Sequence, residues 1–239
     1  MLKLKSLTEL HTELRACRLC LEADHRITPG PVFSSGPEPW VMLIGQAPGI
    51  TEGQVKRPFN AGSGRRLFQW LGEAGWDEAE FRARHYMTAV TKCYPGPSGN
   101  GKGDRVASRA EQALCRPWLE QEMRLVDPRL VILVGGLAIK LVYPASFRLD
   151  EIIGTALFFT PPSPANLLNP DLSQAVMLTP ETGTGIDELA SDLAPVRGRF
   201  IVPLPHPSGA SLWPNAPANR ELIQKAIHLL SRIRIANDL

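Results

Sequence analysis

Residues 39–49, PWVMLIGQAPG, decide how this chain folds. An apolar run from Trp40 to Ile44 stops at Gly45, and a Pro-Gly pair follows at once. Such a short, wholly apolar run ending in glycine suits a buried strand rather than a helix. Gly45 and Gly49 then flank a turn whose backbone N–H groups are free to face a pocket or a phosphate. Outward from this stretch, the sequence alternates between two periods. SGRRLFQWLGEAG (63–75) sets Leu67, Trp70 and Leu71 on one helical face and closes with a glycine. HYMTAVTKC (85–93) reads as a second strand, and SRAEQALCRPWLEQEM (108–123) as a helix opened by Ser108 with Glu111 in a capping box. PRLVILVGG (128–136) and RFIVPLP (199–205) supply a third and a fourth strand, and NRELIQKAIHLLSRIR (219–234) a terminal amphipathic helix. Strands alternating with helices predict a three-layer α/β/α domain with a short, mainly parallel central sheet.

The 239 residues are enough for one substantial core, so residues 1–239 are expected to form a single domain. Apolar residues at 44% and charged residues at 21% exclude wholesale disorder. MLKLKSLTELHTELRAC at the start interleaves charge with leucine, unlike a secretory leader, and no run is apolar for 18 residues. A cytoplasmic, monomeric protein is the expectation. Between the third and fourth strands, residues 156–198 are rich in Pro, Gly, Ser and Thr and read as an insertion or flexible flap. YPGPSGNGKGDR (94–105) reads as a second, shorter loop.

The formal net charge is only +2, but it is unevenly spread. From Leu149 to Val196 there are seven acidic residues and no Lys or Arg; the rest of the chain holds 26 basic against 17 acidic residues. A polyanion-binding face is compatible with that division, and so is an ordinary solvated imbalance.

Four cysteines stand at 17, 20, 93 and 115. In a cytosolic protein a metal site is a better reading than disulfides. One CxxC without a second close pair is a poor match to zinc ribbons, and four thiolates with one short pair suit a [4Fe–4S] cluster. Spacing alone leaves open that Cys93 and Cys115 are small buried residues. Near the other end, VPLPHPSGASLW (202–213) places His206 between two prolines after a buried strand. A histidine in so rigid a turn is held in place before any ligand arrives.

The order of these landmarks carries a resemblance. CxxC, GQAPG, RPFNAGSGRRL, TAVTKC, CRPWLEQE and HPSG follow one another here. The series resembles the iron–sulfur uracil-DNA glycosylases, often called family 4, which typically show GEAPG, RPFVG, TN(A/V)VKC, CRPWL and HP(S/A) in the same order. The resemblance implies that Cys17, Cys20, Cys93 and Cys115 hold a [4Fe–4S] cluster. It implies further that Phe59 stacks on a flipped base and that His206 donates to the base's developing oxyanion. Ser208 falls where members touch the DNA backbone, and Glu52 aligns with an acid after the GxAPG turn, nominated here as general base or stabiliser of the sugar cation. Gly45, Gln46, Gly49 and Asn60 complete the implied substrate-binding set. Leu212 or Trp213 would wedge into the vacated stack, and Lys56, Arg57, Arg65, Arg66 and the 94–105 loop would meet phosphates.

Three positions depart from the family pattern. Gln46 replaces a carboxylate, and an amide cannot act as a base. Ala89 stands where an asparagine reads the edge of uracil. Asn60 replaces the residue after the stacking ring, which suggests that it supplies part of the missing reading or that the preferred base is not uracil. The implied activity is excision of uracil or another deaminated base from DNA, leaving an abasic site. With no lysine in the motifs placed to form a Schiff base, strand cleavage is not expected. The alternative is a slow or non-catalytic DNA-damage or single-strand binding module on the same fold. A zinc hydrolase is disfavoured because no His-rich ligand set accompanies the cysteines.

Overall fold

All four apolar runs enter one sheet, at its buried positions. The computed structural model describes residues 4–37, 39–99, 103–160, 167–180, 198–209 and 211–239. Strands β1 (Val41–Gly45), β2 (Tyr86–Ala89), β3 (Leu130–Val134) and β6 (Arg199–Leu204) lie parallel in the order β2-β1-β3-β6. All five residues of β1 and of β3 are buried, as sheets covered on both faces require. Two further strands, β4 (Ala156–Phe159) and β5 (Ala175–Leu178), complete the six-stranded sheet beyond β6. β4 runs antiparallel to β6, and β5 antiparallel to β4.

Part of the 156–198 segment is therefore regular structure, where composition suggested a loop or flap. ALFF in β4 is wholly buried, and the Phe158 ring packs on Phe200 of β6 with centroids 4.7 Å apart. Four apolar residues amid Pro and Gly were too short a run to stand out from their surroundings. Residues 161–166 and 181–197 lie outside the described residues, and with them four of the seven acidic residues between Leu149 and Val196. β2 also ends sooner than its sequence suggested. The chain leaves the sheet after Ala89, with Thr91 donating its N–H to the Gln46 carbonyl at 3.2 Å, which frees Thr91–Cys93 to reach a different site.

Nine α-helices among the described residues carry the layers. α1 (Leu7–Ala16) packs on α6 (Arg109–Val126), whose start is capped as expected by Ser108 and Glu111. The short α2 (Leu19–Glu22) also touches α6. α3 (Ile50–Val55) and α4 (Gly62–Glu73) follow β1, α5 (Glu78–Arg84) precedes β2, α7 (Gly136–Ile139) follows β3, and α8 (Leu149–Ile152) leads into β4. The terminal α9 (Pro217–Asn237) lies on β6 and α4. Because the parallel strands point the same way, Gly45, Ala89, Val134 and the segment after Leu204 all emerge at one end of the sheet, where α/β folds place their ligand sites. No helix among the described residues is long and apolar enough to cross a membrane.

Candidate active site

At that end lies a pocket bounded by Gly45, Gln46, Glu52, Phe59, Ala89 and His206, with Thr88 and Val134 at its base. Its space, mouth included, is about 460 Å³. It opens onto a wider cleft shared by Gln46, Gly49, Glu52, His206 and Ser208 with Asp104, Arg105 and Ser211. The structure thus gathers His206, Glu52, Gln46, Phe59, Gly45, Gly49 and Ser208 from three separate stretches of chain.

His206 leaves β6 through the Pro205–Pro207 turn, and Ser208 fixes its ring. The Ser208 N–H donates to Nδ1 at 3.2 Å, and the Ser208 hydroxyl lies 2.8 Å from the same atom. Because a backbone N–H can only donate, Nδ1 is the acceptor, and the proton of the neutral ring sits on Nε2. Nε2 has no partner among the described residues. Burial lowers the His206 pKa below its usual 6.5, which keeps the ring neutral near pH 7. Gly135 makes the approach possible. Its φ is +86°, and a Cβ there would lie 3.0 Å from His206 Cδ2 and 3.1 Å from Gln46 Cδ. The Gly-Gly pair at 135–136 is the sequence signal for this close contact.

Gln46 is tied down as well: its Oε1 accepts the Leu137 N–H of α7 at 3.3 Å. Glu52 is buried, and its two oxygens clamp the motifs together. Oε2 accepts the Gly49 N–H at 2.6 Å and Oε1 the Asn60 N–H at 3.2 Å. Burial raises its pKa, opposed by these backbone donors and reinforced by Asp104.

Phe59 stands in the left-handed region at φ +51°, a conformation that costs an ordinary residue roughly 1–2 kcal/mol. Its ring end lies against Gly45, where an added Cβ would come within 2.8 Å of Cζ. Arg82 of α5 holds the strained segment by donating to the Pro58 and Phe59 carbonyls at 2.8 and 2.9 Å, while Glu78 accepts from its Nε at 2.8 Å. Nothing in FRARH marks Arg82 for this role, since it reads as one of several surface cations.

Asn60 is not brought into the pocket lining. Its side-chain oxygen accepts from Arg57 at 3.2 Å on the exposed side of the loop, and only its backbone joins the site. Lys56, Arg57 and Arg65 are exposed; Lys56 bonds the Gly30 carbonyl, and Arg66 bonds Asn215. Leu212 is 78% exposed, whereas Trp213 packs against the core.

The four cysteines, from three separate stretches of sequence, line one cavity of about 480 Å³, mouth included, between α1–α2, the segment after β2, and α6. None is in a disulfide. Burial, then the neighbouring thiols Cys93 and Cys17, push Cys20 up to about 11, and burial pushes Cys115 to about 12. Among the described residues no three of His, Cys, Asp and Glu converge closely enough to hold a single metal ion. The cavity walls also carry Thr91 and Trp118, whose Oγ1 and Nε1 are buried and have no hydrogen-bond partner.

Pocket and cavity are joined by a buried ion pair that went unread although both members stand in the quoted motifs. Lys92 Nζ lies 2.6 Å from Glu122 Oε2, both side chains all but inaccessible. The same ammonium donates to Thr88 Oγ1 and to the Ala89 carbonyl, while the Lys92 backbone N–H donates to Cys115 Sγ at 3.3 Å. Tyr86 and Thr88 hydroxyls complete the shell of Glu122.

The family model described as the uracil DNA glycosylase superfamily matches residues 33–231. A type-4 uracil-DNA glycosylase of Pyrobaculum aerophilum is 28% identical over 149 residues, 62% of this chain and 70% of that protein. Its namesake from Sulfurisphaera tokodaii is 26% identical over 140 residues, 58% of each, and that from Thermotoga maritima 26% over 99 residues, 41% of this chain and 46% of the relative. With the superfamily model spanning most of the sheet and every motif of the pocket, the chain belongs to the uracil-DNA glycosylase superfamily, with its affinity toward the type-4 branch.

Proposed function

We propose that the protein hydrolyses the N-glycosidic bond of uracil, or of a related deaminated base, in DNA and leaves an abasic site. The observation that carries this reading is the orientation of His206, whose Nδ1 is occupied by Ser208 while its Nε2–H is left for a ligand in the pocket.

A base can enter this pocket only after leaving the duplex stack, at a cost of a few kcal/mol. Phe59, fixed by Gly45 behind it and by Arg82 through its carbonyl, offers a ring face to the extruded base. As the C1′–N bond breaks, negative charge gathers on the base and positive charge on the sugar. The neutral His206 donates from Nε2 to the base oxygen that becomes more negative, so the bond strengthens in the transition state. Water adds its hydroxyl to C1′, and its proton leaves to a nearby base. Gln46 cannot take it; Glu52 is the carboxylate in the pocket wall, its burial-raised pKa makes its anion a stronger base, and that anion's charge would stabilise the sugar cation. Exposed Leu212 is assigned to the vacated stack and the cations at 56, 57, 65 and 66 to phosphates.

The cysteine cavity fits a [4Fe–4S] cluster. Four thiols spread around one cavity, without converging on a point, suit a multi-atom group better than a single ion. Cys17 and Cys20 from the α1–α2 turn, Cys93 and Cys115 would be its ligands. When bound, such a group supplies a cross-link between those segments and a one-electron couple, neither of which the hydrolysis consumes.

The deciding experiment follows abasic-site formation on single- and double-stranded DNA carrying one uracil. Product from the wild type, reduced about 10²–10³-fold or more in His206→Ala, is the expected result. Absence of product on uracil, hypoxanthine and xanthine substrates, with DNA binding retained, would overturn the enzyme and favour a damage-binding module, for which the missing reader at Ala89 would then be the explanation.

A further inference from the structure

Thr91 and Trp118 are buried at 1% and 7% exposure, and each carries a polar hydrogen with nothing among the described residues to receive it. Buried donors are almost always paired, so two orphans in one place call for an acceptor that is not part of the chain. Both residues line the cysteine cavity. They reach it from different elements: Thr91 from the segment released by the early end of β2, and Trp118 from α6, three residues beyond Cys115. Trp118 is held there by Leu4, Leu10 and Leu14, with Cys17 and Cys115 packed against the same small cluster. Each residue therefore has a fixed backbone, a fixed neighbour and a free donor.

We propose that the Thr91 hydroxyl and the Trp118 indole N–H are hydrogen-bond donors to the sulfur atoms of the group held by the four cysteines, and that they set its reduction potential. The inference rests on the cluster assignment made above and adds the residues that tune the group. Thiolate and sulfide sulfurs carry negative charge and accept hydrogen bonds. Adding an electron increases that charge, so a donor favours the reduced form and raises the potential. Alternative acceptors are scarce: the carboxylate lining the cavity, Glu111, is already forked on Arg105 at 2.6 and 2.7 Å.

The test uses the full chain purified without oxygen, as wild type, Thr91→Val, Thr91→Ser and Trp118→Phe. Iron and acid-labile sulfide are counted first, then the potential of the dithionite-reducible couple and the Fe–S vibrational bands in H₂O and D₂O are measured. Expected are a shift to lower potential in Thr91→Val and Trp118→Phe at unchanged iron content, wild-type behaviour in Thr91→Ser, and a D₂O shift of the bands that shrinks in the first two. Loaded variants with the wild-type potential and the same D₂O shift would overturn the inference. Should the variants fail to load, the wild type alone decides, since bands insensitive to D₂O would overturn it equally. A wild type free of iron and sulfide is a separate outcome, because it removes the cluster assignment itself and the tuning role with it.

Discussion

The base pocket and the cysteine cavity meet at Lys92, yet they are finished in opposite ways. In the pocket Gln46, Glu52 and Nδ1 of His206 all have partners inside the chain. In the cavity Thr91 and Trp118 have none, and burial raises the pKa of the Cys20, Cys93 and Cys115 thiols. A site that binds and releases its ligand must be shaped before the ligand comes, so the atoms that orient its side chains are satisfied in the empty state and the His206 Nε2–H is left over. A site that keeps its ligand can leave groups for the ligand to satisfy. Under the proposed function, the contrast separates a pocket that exchanges its ligand from a cavity that keeps one.

The ion pair between them offers the strongest way to break the contrast. Lys92→Met leaves the Glu122 carboxylate buried without its cation, and such truncations cost roughly 3–5 kcal/mol. The lost ammonium also supports the Ala89 carbonyl beside the pocket, and the backbone N–H of the same residue bonds Cys115, so a shift of residue 92 should loosen both sites together in denaturant titrations. Adding Glu122→Gln to Lys92→Met should restore part of the loss. A single variant of wild-type stability would show that the pair does not join the two sites.

Acid is the next lever. Burial holds His85 down at about 4 and lowers His206, so both stabilise the fold in their neutral forms. Their contribution is complete above the unfolded value of 6.5 and is lost as pH falls through the folded values. For His85, buried at 3% exposure, the loss is on the order of 3 kcal/mol by pH 4. Glu111, kept at about 2 chiefly by Arg105, adds its loss between pH 4.5 and 2. Glu52 runs the other way, its raised pKa favouring the fold as pH falls through it. Thermal melts from pH 7 to 4 should therefore decline; a flat profile would contradict the buried neutral histidines. Activity should have an acid limb below pH 6.5 from His206.

Ser208→Ala sharpens that limb. It removes the hydroxyl from Nδ1 but keeps the backbone donor, a change of about 1 kcal/mol and so about fivefold in rate. The acid limb should move up toward 6.5 as the neutral ring loses support. An unchanged rate and limb would mean that the turn alone orients the ring.

How much of this was legible in the sequence follows from which interactions are local. The Ser108–Glu111 cap, the buried strands and the HPSG turn each lie within a few residues, and patterns of type and spacing exposed them. β4 was hidden because four apolar residues amid Pro and Gly carry no period. Arg82 was hidden because its targets, Pro58 and Phe59, lie more than 20 residues away, and a surface-helix arginine looks the same whether or not it folds back onto a loop. Lys92 and Glu122 stood in the quoted motifs but are 30 residues apart, so only the packing of α6 on the sheet reveals them as a pair.

Asn60 is where sequence and structure disagree most sharply about function, and where the smallest effect is expected. By type it fills the gap left at Ala89, since an amide can read a base edge. By position it cannot: its oxygen is spent on Arg57 outside the pocket, and what the site takes from residue 60 is a backbone N–H given to Glu52. Any L-residue supplies that N–H. Asn60→Ala should therefore change stability by no more than about 0.5 kcal/mol, as exposed substitutions do. The ratio of uracil to hypoxanthine and xanthine excision should stay where the wild type has it. A changed ratio would mean that the loop carrying Phe59 turns inward when DNA binds, making the residue next to the stacking ring the reader that Ala89 is not.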